Sequence, residues 1–153
     1  MREKEYPPLL ANGYKDITEA DLYTEFVAPF SHGHKHRSDL LTNFTQFLSQ
    51  FKELNLPAEI WIDGSFATSA PDPSDIDVVF YFKPKDVDSL EQEKKEKFER
   101  LFHSRKFMKS LYKVEVFYGT MGNANDYKHW NSVFGTCYDK TTPKGIVVMQ
   151  YSQ

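Results

Sequence analysis

Apolar residues recur at spacings of three and four from Leu40 through Leu41, Phe44, Phe47, Leu48 and Phe51 to Leu54. Residues so spaced share one helical face, so Ser38 to Leu54 is predicted as an amphipathic helix, with Ser38 as its N-cap and Pro57 closing it. The pattern changes at Glu59 to Asp63, a short β-type run ending at Gly64. It changes again at the β-branched and aromatic run Ile76 to Phe82, bounded by Pro73 and Pro84. Asp86 to Lys109 is strongly charged with a modest apolar stripe, Leu90, Phe98, Leu101 and Phe102, and predicts one surface helix. From Tyr112 to Tyr118, Val114 and Val116 alternate with Lys113, Glu115 and Phe117, the period of a strand whose two sides meet different surroundings. Gly119 to Thr142 is polar, glycine-containing and aromatic, and is assigned no element. The β-branched run in Gly145 to Tyr151 is expected to end the chain on an edge strand.

Residues 1–36 read as a lead-in carrying Pro7, Pro8, Gly13, Pro29 and Gly33, with one short helix. Thr18 and Asp21 imitate a capping box ahead of Leu22, Phe26 and Val27. Strands separated by helices predict an α/β fold, a small mixed sheet flanked by helices, and a chain of 153 residues suits a single domain over 1–153.

Charge narrows the options. A net charge of −3 provides no general field for coating a polyanion. No run approaches the roughly 18 apolar residues of a membrane span, and MREKEYPPLL lacks the apolar centre of a secretory signal, so a cytoplasmic chain without membrane contact is expected. Cys137 stands alone, which excludes an intramolecular disulfide and a thiolate zinc cage.

The chemistry concentrates between Trp61 and Phe82, WIDGSFATSAPDPSDIDVVFYF. Residues two apart in a strand project from one face, so Asp75 and Asp77 present their carboxylates together. At about 4 Å and an effective dielectric near 20 such a pair repels by about 4 kcal/mol, which invites a cation. Hard oxygen donors suit Mg²⁺ (or Mn²⁺), and Glu115 offers a third carboxylate if its strand lies beside that of Asp77. Glu115 as the polar side of an edge strand is an equal reading. Gly64 permits close backbone approach, and the amides and hydroxyl around Ser65 can hold phosphate oxygens. Lys144 either reaches phosphate as a point charge or sits in the turn after Pro143.

Other polar groups carry less. His32, His34 and His36 form a short histidine-rich segment that reads better as a solvated loop than as a transition-metal site. Lys94 to Lys97 alternates with acids and reads as a solvated helix face. Tyr127 and Trp130 suit either base stacking or core packing.

Gly64-Ser65, nine residues, then Asp75-Ile76-Asp77 inside a hydrophobic strand resembles the signature of DNA polymerase beta-type nucleotidyltransferases. The whole chain is similar to a poorly characterised prokaryotic family of minimal nucleotidyltransferase-like proteins. That likeness is carried by Pro7-Pro8 with Thr18-Glu19, Arg37 opening a helix, Trp61 to Phe66, Pro73 to Asp77 and Pro143-Lys144-Gly145-Ile146-Val147. The resemblance implies the nucleotidyltransferase fold, with Asp75 and Asp77 as the metal-binding aspartates and Glu115 at the third acidic position, where the superfamily often has Asp. Many minimal members follow Gly-Ser with an Arg-Gly pair, whereas this chain has Phe66-Ala67.

The expected activity is transfer of a nucleoside monophosphate from a nucleoside triphosphate to a protein, RNA or nucleotide acceptor, with Mg²⁺ or Mn²⁺ held by Asp75, Asp77 and Glu115. The rival is a weakly active or inactive binding module that works through a partner, such as an antitoxin-like or phage-defence component. A chain this short has little room for an acceptor-binding module, so a protein partner is expected, with aromatic residues between Tyr118 and Tyr138 as candidate contacts.

Overall fold

The computed structural model describes residues 6–136 and 143–152; Cys137, Tyr138 and the end of the 119–142 stretch lie outside the described residues. Five strands form one mixed sheet: β1 (Tyr14–Ile17), β2 (Ala58–Asp63), β3 (Ile76–Phe82), β4 (Val114–Thr120) and β5 (Ile146–Tyr151), in the order β1-β5-β2-β3-β4. β5 runs parallel to β1 and antiparallel to β2, β2 antiparallel to β3, and β3 parallel to β4. The helices are α1 (Leu22–Phe26), α2 (His34–Lys52), α3 (Pro84–Asp88), α4 (Gln92–His103), α5 (Arg105–Tyr112) and α6 (Ala124–Phe134).

The core lies between the sheet and α2. Phe44, Phe47 and Phe51 face it at helical spacing, and the ring of Phe51 meets Phe80 at 4.9 Å between centroids. Phe102 of α4 closes the cluster against Phe80 at 5.2 Å and Phe82 at 4.9 Å. Ile60, Ile62, Val78, Val114 and Val116 complete this face from the strands.

The helix predicted from Ser38 begins a turn earlier, with Gly33 as N-cap in the left-handed region at φ 75°. Two features explain the difference. A Cβ at position 33 would overlap the Pro71 carbonyl, so only glycine lets the chain enter the helix there. The first turn also carries Arg37, which is fully buried although polar and so lacks an apolar signal. Its guanidinium donates to the carbonyls of Phe26 (2.7 Å), Ala70 (2.5 Å) and Phe66, and lies over the rings of Phe30 and Phe66. Burial lowers its pKa to about 10, which leaves it charged at neutral pH.

Asp86 to Lys109 is not one helix. Pro84 starts α3, α4 follows, and Ser104 at φ −95°, ψ 56° breaks the chain before α5. The break turns α5 along β4, where Met108 is buried. The last strand is not at an edge. β5 lies between β2 and β1, because the short, polar β1 covers its far side. The Thr18–Asp21 capping box is present.

Gly119 to Thr142 contains α6, capped by the Asn123 side chain, which accepts from the Asp126 amide at 3.0 Å. Tyr127, Trp130 and Phe134 stand at i, i+3 and i+7 and pack on the sheet face away from α2. Tyr127 stacks on Trp61 at 5.8 Å, and Trp130 meets Phe117 at 4.8 Å. These two aromatic side chains are half-buried packing residues and do not form an exposed contact patch.

Candidate functional site

On the α6 side of the sheet, register places three acids in one row. Asp63 at the end of β2 pairs with Asp77 on β3, and Asp77 pairs with Glu115 on β4. Side chains of paired residues share a face, so these carboxylates converge, and Asp75 joins them from the loop just before β3. Asp75, Asp77 and Glu115 each offer a carboxylate oxygen, and these oxygens lie within 4.8 Å of one another. Among the described residues no other group of three or more His, Cys, Asp or Glu side chains is arranged this way.

Asp77 lies at the centre. Burial first, then the charges of Asp75 and Glu115, raise its pKa to about 7. Its Oδ1 is buried without a hydrogen-bond partner. Gly64, at φ 75°, carries no Cβ, and a Cβ there would overlap the Asp77 carboxylate. Glycine thus creates the space into which Asp77 folds. Ser65 continues the short 3₁₀ turn Gly64–Ala67, and its carbonyl accepts from the Thr68 hydroxyl at 2.6 Å. Lys144 donates to the Gly64 carbonyl at 2.9 Å, and its ammonium opposes the rise in the pKa of both Asp63 and Asp77. The structure therefore brings Asp75, Asp77, Glu115, Gly64, Ser65 and Lys144 into one neighbourhood. A set of hard carboxylate oxygens, one of them unpartnered and buried, fits Mg²⁺ or Mn²⁺ in its donor chemistry.

Asp63 is a fourth carboxylate that pattern reasoning passed over. It is fully buried, both its oxygens lack partners, and burial followed by the Asp77 charge pushes its pKa well up against the pull of Lys144. An aspartate just before a glycine reads as a turn residue. Its pairing with Asp77 depends on strand register, which a single sequence does not display.

The cations of α5 were also missed. Lys109 reaches Asp75 at 3.2 Å and Glu115 at 3.5 Å, and the Asp75 contact raises the lysine's pKa. Arg105 lies 3.4 Å from Glu115 and over the Phe117 ring. Beside Asp75 an open cleft of about 390 Å³ is lined by Ser74, Lys106, Lys109, Ser110 and Lys113. The signal was present in Arg105, Lys109 and Lys113, which recur every four residues, but one long solvated helix absorbed it.

The histidine-rich segment takes part in local contacts. His34 shares a hydrogen bond with the Tyr23 hydroxyl at 2.9 Å, and His36 meets the Pro73 carbonyl at 2.5 Å. Lys94 to Lys97 lies on α4, with Lys97 paired to Glu53 at 2.9 Å.

No helix among the described residues is long and apolar enough to cross a membrane. No curated protein and no solved structure gives a significant match to the chain. A family of unknown function, DUF6932, has a model that matches residues 3–150, and with nearly the whole sequence covered the chain belongs to that family.

Proposed function

We propose that this protein is a metal-dependent nucleotidyltransferase on a minimal polymerase beta-type fold. The observation that carries the reading is the convergence of Asp75, Asp77 and Glu115 within 4.8 Å on adjacent parallel strands and the loop before them. A Gly-Ser turn between two antiparallel strands, followed by Asp-x-Asp where the second begins, supports the same reading.

In this scheme Asp75, Asp77 and Glu115 hold Mg²⁺ or Mn²⁺, which supplies positive charge for the phosphates and for the attacking hydroxyl. Gly64, Ser65 and Lys144 receive the triphosphate. Lys144 is already anchored on the Gly64 carbonyl, so its charge sits beside that turn before substrate arrives. Glu115 orients the acceptor hydroxyl. The hydroxyl oxygen forms a bond to the α-phosphorus, the bond from that phosphorus to the bridging oxygen breaks, and pyrophosphate leaves. The hydroxyl proton passes to solvent or to a carboxylate of the cluster.

A second reading, a partner-dependent module without turnover, rests on position 66. Phe66 is buried and stacks on Phe26 at 5.0 Å, so it offers no cation where many minimal members have Arg.

The test uses α-labelled nucleoside triphosphates with Mn²⁺, with and without cell extract. Label should move to a macromolecule or nucleotide with wild type, and Glu115→Gln should abolish transfer while its melting temperature stays within a few degrees. No transfer under any of these conditions would favour the binding module.

A further inference from the structure

The proposed reaction uses Gly64, Ser65 and Lys144, which flank Asp77 from the β2 side of the sheet, and leaves the α5 surface on the β4 side without a ligand. From Arg105 to Lys113 the chain reads RKFMKSLYK, four cations and no anion in a protein of net charge −3. The three lysines of this run and the hydroxyls of Ser74 and Ser110 line the cleft that opens beside Asp75. One step around the helix Phe107 is 62% exposed and Leu111 53% exposed, an apolar pair at i and i+4 that covers none of the core.

We propose that this surface binds single-stranded nucleic acid, with backbone phosphates in the Lys106, Lys109 and Lys113 cleft and a base stacked on Phe107. The inference rests on the transferase reading and names the acceptor: a strand whose end is led past α5 to Asp75.

Four arguments favour this ligand. Lysines with hydroxyls between them match phosphate oxygens, and Lys109 already offsets part of the charge of Asp75 and Glu115 at the cleft's end, so a strand can enter before a divalent ion is bound. A small anion would make no use of an exposed aromatic ring, whereas an unpaired base has a π-face to offer it. A duplex keeps its bases stacked within the helix and cannot use Phe107 in this way. An anionic membrane surface would suit a basic helix with exposed Phe and Leu, but α5 packs along β4 and its lysines point into a cleft.

The test is fluorescence anisotropy of labelled single-stranded oligo(U) and oligo(dT) with the full chain, without divalent ion or nucleoside triphosphate, from 50 to 200 mM salt. Three lysine contacts predict a log–log salt slope of about −2. The Lys106→Ala, Lys113→Asn double variant should reduce that slope by about 1.4. Asn is chosen at 113 because that residue has φ 57°, which Asn tolerates. Phe107→Ala should weaken binding about ten-fold and leave the slope unchanged. Mn²⁺ should raise the melting temperature by binding Asp75, Asp77 and Glu115 in the native state, and all variants should keep that rise.

The proposal is overturned if wild type binds neither oligonucleotide at 50 mM salt, if the variants bind as wild type does, if a duplex of equal length binds as well, or if phosphatidylserine vesicles compete through the same residues. Loss of nucleotidyl transfer with oligonucleotide binding intact would refute the transferase reading alone. Absent oligonucleotide binding with the Mn²⁺ response intact would refute this proposal alone.

Discussion

The two faces of the sheet are built from the same five strands and differ in almost everything else. The face toward α2 is closed by Phe44, Phe47, Phe51, Phe98 and Phe102, with β-branched residues filling the strands. The face toward α6 begins the same way, with Trp61, Val79, Ile146 and Val148 under Tyr127, Trp130 and Phe134. In the same alternation it then places Asp63, Asp77 and Glu115 where further apolar residues would fit. One face contributes stability, and the other concedes some of it to hold like charges close together.

The largest test of this contrast is on the closed face. Phe51 is fully buried among aromatic neighbours, so Phe51→Ala should destabilise by about 3–5 kcal/mol. Urea denaturation would show it, with no change in Mn²⁺ response per folded molecule. A loss below about 1 kcal/mol would mean that the aromatic cluster is not the main support.

The next test is on the acidic face. Asp77 has a pKa of about 7 folded against 3.8 as its ordinary value, so between about pH 4 and pH 7 the native protein keeps a proton that the unfolded chain has released. Stability of the metal-free protein should therefore fall as pH rises through that window, by at most about 1.4 kcal/mol per pH unit from this group, and Asp63 acts in the same direction. Asp77→Asn should flatten the profile, raise the melting temperature at pH 7.5 and eliminate the Mn²⁺-induced stabilisation. A metal-free melting temperature that rises from pH 4 to pH 7 would contradict the electrostatic account.

The smallest effect belongs to Lys109, whose ammonium neutralises Asp75 and Glu115 from an exposed position. Lys109→Met removes this internal counter-ion, so Mn²⁺ should bind about two- to five-fold more tightly while stability changes by less than about 0.5 kcal/mol. Titration calorimetry would decide it, and weaker binding would mean that the lysine supports the site rather than competing for it.

The pattern of the chain made α2, β2, β3 and β4 legible, because each has a clear helical or alternating period. It also paired Asp75 with Asp77 and proposed Glu115 beside them, since side-chain alternation follows from a strand's geometry. What escaped depended on neighbours in space. β1 has no apolar run, and it forms because the free edge of β5 offers backbone partners. The interior position of β5 follows from that same pairing. Tyr127, Trp130 and Phe134 did carry a helical period, but polar residues around them hid it. Asp63 became a site neighbour only through register with Asp77.

Arg37 gives the loop between Gly64 and Asp75 a particular thermodynamic character. Its guanidinium binds the Phe66 and Ala70 carbonyls, His36 binds that of Pro73, and Gly33 seats against Pro71, all from the first turn of α2. An untethered loop would have to surrender about 1–2 kcal/mol of backbone entropy per residue when a ligand ordered it. Here that entropy is lost during folding, so affinity at the Gly64–Asp75 turn is set by contacts and charge rather than by the need to arrange the chain.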